Sequence, residues 1–226
     1  YQFCLPLLWH LQVPDLWGLQ VLPETEIEVR IKELPFVSRG GYKLDKALKV
    51  FPVDPADKIC IDCGASSGGF TDVLLQHGAK KVYAVDVGYG QLAWKLRNDE
   101  RVVNLERTNL RYVTDEQTPE KPDIAVCDVS FISLTLILPV AFNFLKDNGQ
   151  CVALIKPQFE AGRENVGKKG VVRDKTVHKD VIEKIEKIQT EISDIPTLKQ
   201  KFVGSDGRGY KFFFFPWVFF DFASAG

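Results

Sequence analysis

Lys58-Ile59-Cys60-Ile61-Asp62-Cys63-Gly64-Ala65-Ser66-Ser67-Gly68-Gly69-Phe70-Thr71-Asp72-Val73-Leu74-Leu75 is the stretch that decides the fold. A short apolar run ends in an acid, passes through a loop of small residues and opens onto an amphipathic segment, which reads as strand, glycine turn and helix. Only residues with little or no side chain let the backbone approach a ligand closely at such a turn. The amides at the start of the following helix have no partner within it, and the helix dipole favours electron-rich groups there. A second apolar run, Lys81-Val82-Tyr83-Ala84-Val85-Asp86, ends in another acid 24 residues after Asp62. In doubly wound folds a carboxylate about 20 residues beyond the glycine turn hydrogen-bonds a ribose hydroxyl pair. Gly64-x-x-x-Gly68-Gly69 does not have the spacing that clamps a dinucleotide pyrophosphate. A loop closing on an uncharged amino-acid tail fits it better, which points to S-adenosylmethionine rather than NAD; a purely structural glycine turn is the alternative.

Working outward, strands are expected near 81–86, 102–105, 123–127 and 150–155. Helices are expected near 68–77, 91–98, 135–146 and 176–193. This alternation implies an α/β chain with a doubly wound, mostly parallel sheet and helices on both faces. Upstream, Ser38 reads as a possible cap of a helix whose Leu44, Leu48 and Phe51 share one face, with Pro52 and Pro55 ending it. Glu24–Ile31 alternates with period two and reads as an amphipathic strand, while residues 1–22 take no clear assignment. Downstream, Leu198–Val203 suggests a strand and Gly204–Gly209 a turn. The aromatic run Phe212–Phe222, interrupted by Pro216, reads as a buried or edge strand and is too short to span a bilayer.

With 226 residues, the chain is long enough for one sizeable α/β domain and an appendage. Its net charge of −1 gives no global nucleic-acid footprint, so any RNA contact must come from local basic patches. Four of its five cysteines (Cys60, Cys63, Cys127, Cys151) fall in or beside expected strands, and Cys4 does not; Cys60-x-x-Cys63 lacks a second pair, so these read as structural thiols of a cytoplasmic protein. The apolar N-terminus carries no basic region of the kind that marks a signal peptide. A chain of this size without methionine, starting at Tyr1, reads as a fragment or as a sequence from which methionines have been dropped.

Asp128 ends one expected strand and Lys156 another, where open α/β sheets present their ligands, and Lys43 in the helix before the first strand could reach the same crevice. Beside Asp128 and a second lysine, Lys156 would be partly desolvated and its pKa lowered, which suits removal of a proton from a hydroxyl. Methyl transfer from a sulfonium needs little more: an in-line nucleophile, a deprotonating group and good positioning.

Five stretches resemble the haemolysin A-like (TlyA) family of ribosomal RNA 2′-O-methyltransferases, whose catalytic domain is FtsJ-like. They are Val37–Leu44, Asp62–Thr71, Cys127–Ser133, Lys156-Pro157-Gln158-Phe159-Glu160 and Gly167–Asp174, in the family's order from about Pro23 to Ile188. The resemblance implies a seven-stranded Rossmann-like methyltransferase sheet. It implies cofactor contacts from Asp62, Gly64, Ala65, Ser66, Gly68, Gly69, Phe70, Asp86, Val87, Asn109 and Asp128, and a catalytic tetrad of which Lys43, Asp128 and Lys156 are three members. It also implies division into residues 1–35, a remnant of or linker from an S4-type RNA-binding domain, and a methyltransferase domain at 36–226. The implied partner is ribosomal RNA or a ribosomal subunit, with no membrane expected and the oligomeric state open. Arg39, Lys46, Arg163, Lys168, Lys169 and Arg173 are the cations that could contact RNA phosphates, the stretch from 162 to 174 serving either as a flap or as a plain surface loop. The tetrad's glutamate has no counterpart: Tyr210 stands near its place, Asp206 is the only nearby acid, and no glutamate follows Glu191. A catalytically impaired binding module and a membrane-active haemolysin are therefore the alternatives to an active methyltransferase.

Overall fold

A computed structural model describes residues 34–194 and 211–216, the latter segment and residues 189–194 as backbone only. Ten elements build its core: α1 (Gly41–Val50), β1 (Ile59–Cys63), α2 (Gly69–Gln76), β2 (Lys81–Val85), α3 (Trp94–Arg97), β3 (Val102–Leu105), β4 (Ile124–Cys127), α4 (Leu134–Phe144), β5 (Gln150–Ile155) and α5 (Pro157–Glu160). α6 (Lys175–Asp194) and β6 (Lys211–Pro216) follow. The strands form one sheet in the order β3-β2-β1-β4-β5-β6, every neighbouring pair parallel. The doubly wound parallel sheet is as expected. The implied seventh strand is not among the described residues, which hold six.

Because strand side chains alternate between faces, β1 feeds two cores at once. Ile59, Ile61 and Cys63 join Tyr83, Ala125, Cys127 and Ile155 beneath Leu134, Leu138 and Phe142 of α4 and Ile185 of α6. Cys60 joins Val82, Val126 and Leu154 on the other face, against Leu44 of α1, Phe70 and Leu74 of α2 and Leu96 of α3. Cys60 and Cys63 thus lie on opposite faces of one strand and cannot chelate together; both are buried free thiols, as are Cys127 and Cys151. A sheet covered on both faces explains why its strands are near-continuous apolar runs rather than alternating ones.

Two local expectations need correction. Ser38 does not cap α1: its carbonyl accepts from Gly41 N at 3.1 Å, and Gly40 takes the cap position without a side-chain bond. The helix expected at 91–98 is reduced to Trp94–Arg97, because Glu106 binds the amides of Gln91 and Leu92 and holds that segment as a loop. The short helix α5, which starts on Pro157 directly after Lys156, was not foreseen; proline's fixed φ suits a first helical position. Of the aromatic run 212–222, residues 212–216 belong to the edge strand β6. The expected strands at Glu24–Ile31 and Leu198–Val203, the turn at Gly204–Gly209, Cys4, and all of residues 1–33 lie outside the described residues. Among the described residues, no helix is long and apolar enough to cross a membrane.

Candidate active site

From β1 the chain runs outward to β2 and β3, then returns to the other side of β1 with β4 and continues to β5. That reversal between β1 and β4 opens a crevice at the carboxyl ends of the strands, where open α/β sheets bind ligands. The crevice here is a cleft of about 380 Å³. Gly64–Ser67, Gly69 and Phe70 line one wall, Ser38, Gly40 and Lys43 another, and Asp128, Ser130, Lys156, Gln158 and Phe159 the rest.

The three residues expected to do chemistry meet there. Asp128, one residue beyond β4, has its Oδ2 2.9 Å from Lys43 Nζ and its Oδ1 2.7 Å from Lys156 Nζ. Lys156 Nζ also donates to Ser130 Oγ at 2.8 Å and to the Asp128 carbonyl at 3.3 Å. Lys43 and Lys156 are both buried. The pKa of Lys43 is pushed down: burial is the main cause, Asp128 opposes it by charge and hydrogen bond, and the Lys156 charge adds to the lowering. Two ammoniums around one carboxylate leave a buried excess of one positive charge, so the cluster releases a proton more readily than an isolated lysine would.

The glycine wall explains why its residues are small. Gly64 and Gly68 have φ of +94° and +91°, which side chains rarely tolerate. A Cβ on Gly69 would lie 2.4 Å from Ser38 Oγ, so the turn before α1 packs directly on the start of α2. Gly69 and Phe70 open α2, so their amides have no partner within the helix.

The remaining expected cofactor residues are placed unevenly. Asp62 does not line the cleft: it is fully buried in β1 on the α2 face, its Oδ2 accepts from Thr71 Oγ1 at 2.7 Å, and its Oδ1 has no hydrogen-bond partner among the described residues. Burial pushes its pKa up to about 7; the Thr71 hydrogen bond counters this, and the charge of Asp128 reinforces it. Asp86, just past β2, takes the amides of Ser66 at 2.8 Å and Gly88 at 2.7 Å, which ties the glycine loop to the β2 end. A carboxylate offers about four acceptor positions, so two remain for hydroxyls. Val87 is exposed beside it, and Asn109 accepts from Arg111 N at the start of a 3-10 turn.

Glu106 secures that same rim, binding Gln91 N at 3.0 Å, Leu92 N at 3.3 Å and Arg97 Nη2 at 2.5 Å. Burial raises its pKa, but the bonds from Arg97 and the backbone outweigh that and hold it at about 2, below the ordinary 4.5. A depressed folded-state value stabilises the fold above pH 4.5, and this contribution is lost as pH falls from 4.5 towards 2. Urea titrations across that range are expected to show Glu106→Gln less stable than the parent at pH 7, with the gap closing at pH 3. A constant gap would show that the carboxylate's charge is not what matters.

Of the cations expected to meet RNA, Lys168, Lys169 and Arg173 are brought together around a second hollow of about 420 Å³, with Asp174 beside them. Arg39 is exposed in the turn next to Ser38 and Gly40 of the cleft, Lys46 on the outer side of α1, and Arg163 in a 3-10 turn. Sequence reasoning missed Ser130, Gln158 and Phe159, which lie inside motifs already singled out but carry no titratable signal. It also missed Phe131, a non-glycine residue at φ +63° whose ring is 91% exposed and 5.1 Å from that of Phe159.

An FtsJ-like methyltransferase family model matches residues 36–199, most of the chain. The chain belongs to the FtsJ-like methyltransferase family. It is 59% identical over 172 residues to "Putative rRNA methyltransferase YqxC" of Bacillus subtilis, covering 76% of this chain and 61% of that protein. It is 53% identical over 162 residues to the 16S/23S rRNA (cytidine-2'-O)-methyltransferase TlyA of Mycobacterium tuberculosis, covering 72% and 58% respectively. Among solved structures, "Putative hemolysin from Streptococcus thermophilus" is 53% identical with a TM-score of 0.68, covering 73% of this chain and 60% of that one. The chain spans about three-fifths of the length of these curated relatives. The FtsJ-like match begins at Phe36, two residues before Ser38 of the cleft.

Proposed function

We propose that this chain methylates a ribose 2′-hydroxyl of ribosomal RNA, using S-adenosylmethionine. The observation that carries this reading is the Lys43–Asp128–Lys156 cluster opening into the same cleft as the glycine loop.

The residues present fit that cofactor. The glycine wall is backbone and small side chains, with amides rather than cations on offer, which suits a nucleoside with an amino-acid tail better than a pyrophosphate. Gly64–Phe70 would hold the tail, Asp86 the ribose hydroxyls, and Val87 and Asn109 the adenine side. Asp62, beneath the loop with an unpartnered oxygen, would act through the loop rather than in the cleft. When bound, the group supplies an electrophilic methyl carbon on a sulfonium.

Lys156, as the free amine left when the cluster has given up its excess proton, would take the proton of the ribose 2′-hydroxyl onto Nζ. The freed oxygen pair would go to the methyl carbon, with the pair of the broken C–S bond left on sulfur in a departing neutral thioether. Asp128 stabilises the ammonium so formed, and Ser130 fixes the direction of the amine. Lys43 keeps Asp128 compensated before and after transfer and biases the cluster towards giving up its excess proton.

RNA recognition is supported by three features. Lys168, Lys169 and Arg173 form a cationic hollow suited to phosphates. Phe131 presents an aromatic face on a backbone conformation that the surroundings must enforce, and unstacked bases seek such faces. Arg39 is exposed in the turn between Ser38 and Gly40 of the cleft, within reach of a substrate's backbone. Buried free thiols favour a cytoplasmic setting.

The deciding experiment is mass spectrometry of ribosomal RNA from cells with and without this protein, together with transfer to purified subunits. Gain of one ribose methyl supports the proposal. A methyl on a base, or none in the presence of bound cofactor, refutes it.

A further inference from the structure

We propose that Glu160 is a positioning residue for Lys156, joining the turn after β5 to the turn after β4 so that the base and its partners stay in register. The inference rests on the methyltransferase reading above. Glu160 ends α5, four residues after Lys156, and its carboxylate is only 1% exposed. Oε1 accepts from Leu134 N at 2.7 Å and Oε2 from Ser133 Oγ at 2.5 Å, which places it on the first turn of α4. Lys184 of α6 donates to the Glu160 carbonyl at 3.1 Å, with its ammonium 3.7 Å from Oε2.

The segment between Asp128 and Ser133 shows why this matters. It carries Ser130, the hydroxyl that Lys156 donates to, and the left-handed Phe131. Among the described residues, 129–132 make no backbone–backbone hydrogen bond, and both Ser130 and Phe131 are exposed. The loop's backbone is tied at the two ends, while Val129 and Ile132 pack on the core and Ser130 and Phe131 meet Lys156 and Phe159. Asp128 N binds Cys63 O at one end, and Glu160 grips Ser133 and Leu134 at the other. A buried carboxylate is costly unless paired, and an apolar residue would fill the same space without that cost. Here the charge is compensated by the α4 amino terminus and Lys184. The two loops it joins are those that carry Asp128, Ser130 and Lys156.

Glu160→Ala removes the acceptor, whereas Glu160→Gln can still accept from Leu134 N and donate to Ser133 Oγ. Misplacement of a catalytic group by about 1 Å can cost about 100-fold. Glu160→Ala is therefore expected to lower kcat by about 30-fold or more, with Kd for S-adenosylmethionine and KM for RNA within about threefold, and Glu160→Gln to recover most of the loss. The kcat–pH profile should shift in the alanine variant and not in the glutamine one. Acetylation of the Lys156 amine by acetic anhydride, followed by mass spectrometry, should be several-fold faster in Glu160→Ala as Ser130 drifts away. If Glu160→Ala does not fold, Ser133→Ala removes one of the two ties and should move the same readouts less. Wild-type kcat, pH profile and Lys156 reactivity in the alanine variant, or in Ser133→Ala where that must stand in, overturn the proposal. Equal losses in the alanine and glutamine variants with an unmoved pH profile also overturn it. Failure of the methyltransferase reading shows differently, as a wild type that binds cofactor without transfer; the Lys156 labelling rates then still decide the positioning role.

Discussion

Lys156→Ala is expected to lower kcat for RNA methylation by about three orders of magnitude, leaving the Kd for S-adenosylmethionine within about threefold. The base contributes to proton removal, typically about 10² to 10⁴-fold, while the glycine wall that would hold the cofactor tail is built from other residues. Lys156→Arg separates the two roles this amine could have. The guanidinium keeps the charge next to Asp128 but does not give up its proton in proteins. If Lys156 only compensated Asp128, arginine would restore activity. If it takes the proton, arginine stays as inactive as alanine while regaining stability. Single-turnover transfer from labelled cofactor, with calorimetric binding in parallel, reads both. Activity in either variant within about tenfold of the parent would remove Lys156 from the role of base.

The sheet was legible in the sequence because a parallel strand buried on both faces must be largely apolar: β4 is wholly so, and β1 and β5 carry one polar residue each. Each strand's last residue is followed by a loop at the same edge, so Asp128 and Lys156 could be paired from order alone. Lys43 followed only from its place one helix upstream, and its contact with Asp128 depends on Gly69 admitting the 38–41 turn. Elements set by tertiary partners were hidden. α3 is short because Glu106, from a different strand end, claims two amides that a longer helix would use. α5 is one turn, too short for periodicity to show. Asp62 looked like a ligand because it ends an apolar run, but residue parity in β1 turns its side chain under α2, towards Thr71. Glu160 and Phe131 stood inside quoted motifs, and nothing in their spacing distinguishes a buried clamp from an exposed ring. Tyr210 and Asp206, which bear on the tetrad's glutamate, lie outside the described residues.

Asp128→Asn is expected to cost more stability than any other single change in the site. Lys43 and Lys156 each have side chains 9% exposed and share this one anion. Removing one partner from a buried ion pair costs about 3 to 5 kcal/mol; since the carboxylate is 15% exposed, about 3 kcal/mol is the better expectation. For a domain of this size that lowers Tm by roughly 6 to 12 °C. Burial already lowers the pKa of Lys43, and Asp128 opposes that push by charge and hydrogen bond, so loss of the carboxylate should lower it further. A lysine whose folded pKa lies below its ordinary 10.5 binds fewer protons when folded, so stability rises with pH up to that value. The Asp128→Asn variant should therefore recover part of its loss between pH 7 and 9, while the parent changes less. Adding Lys43→Met should restore about half of the lost stability, since one buried ammonium then remains instead of two, and it should restore no activity. Thermal melts of the four proteins in this cycle give the coupling directly. Additive effects, with no rescue by Lys43→Met and no gain at pH 9, would mean that the two lysines do not share the carboxylate, and the charge arrangement assigned to the catalytic cluster would fall with it.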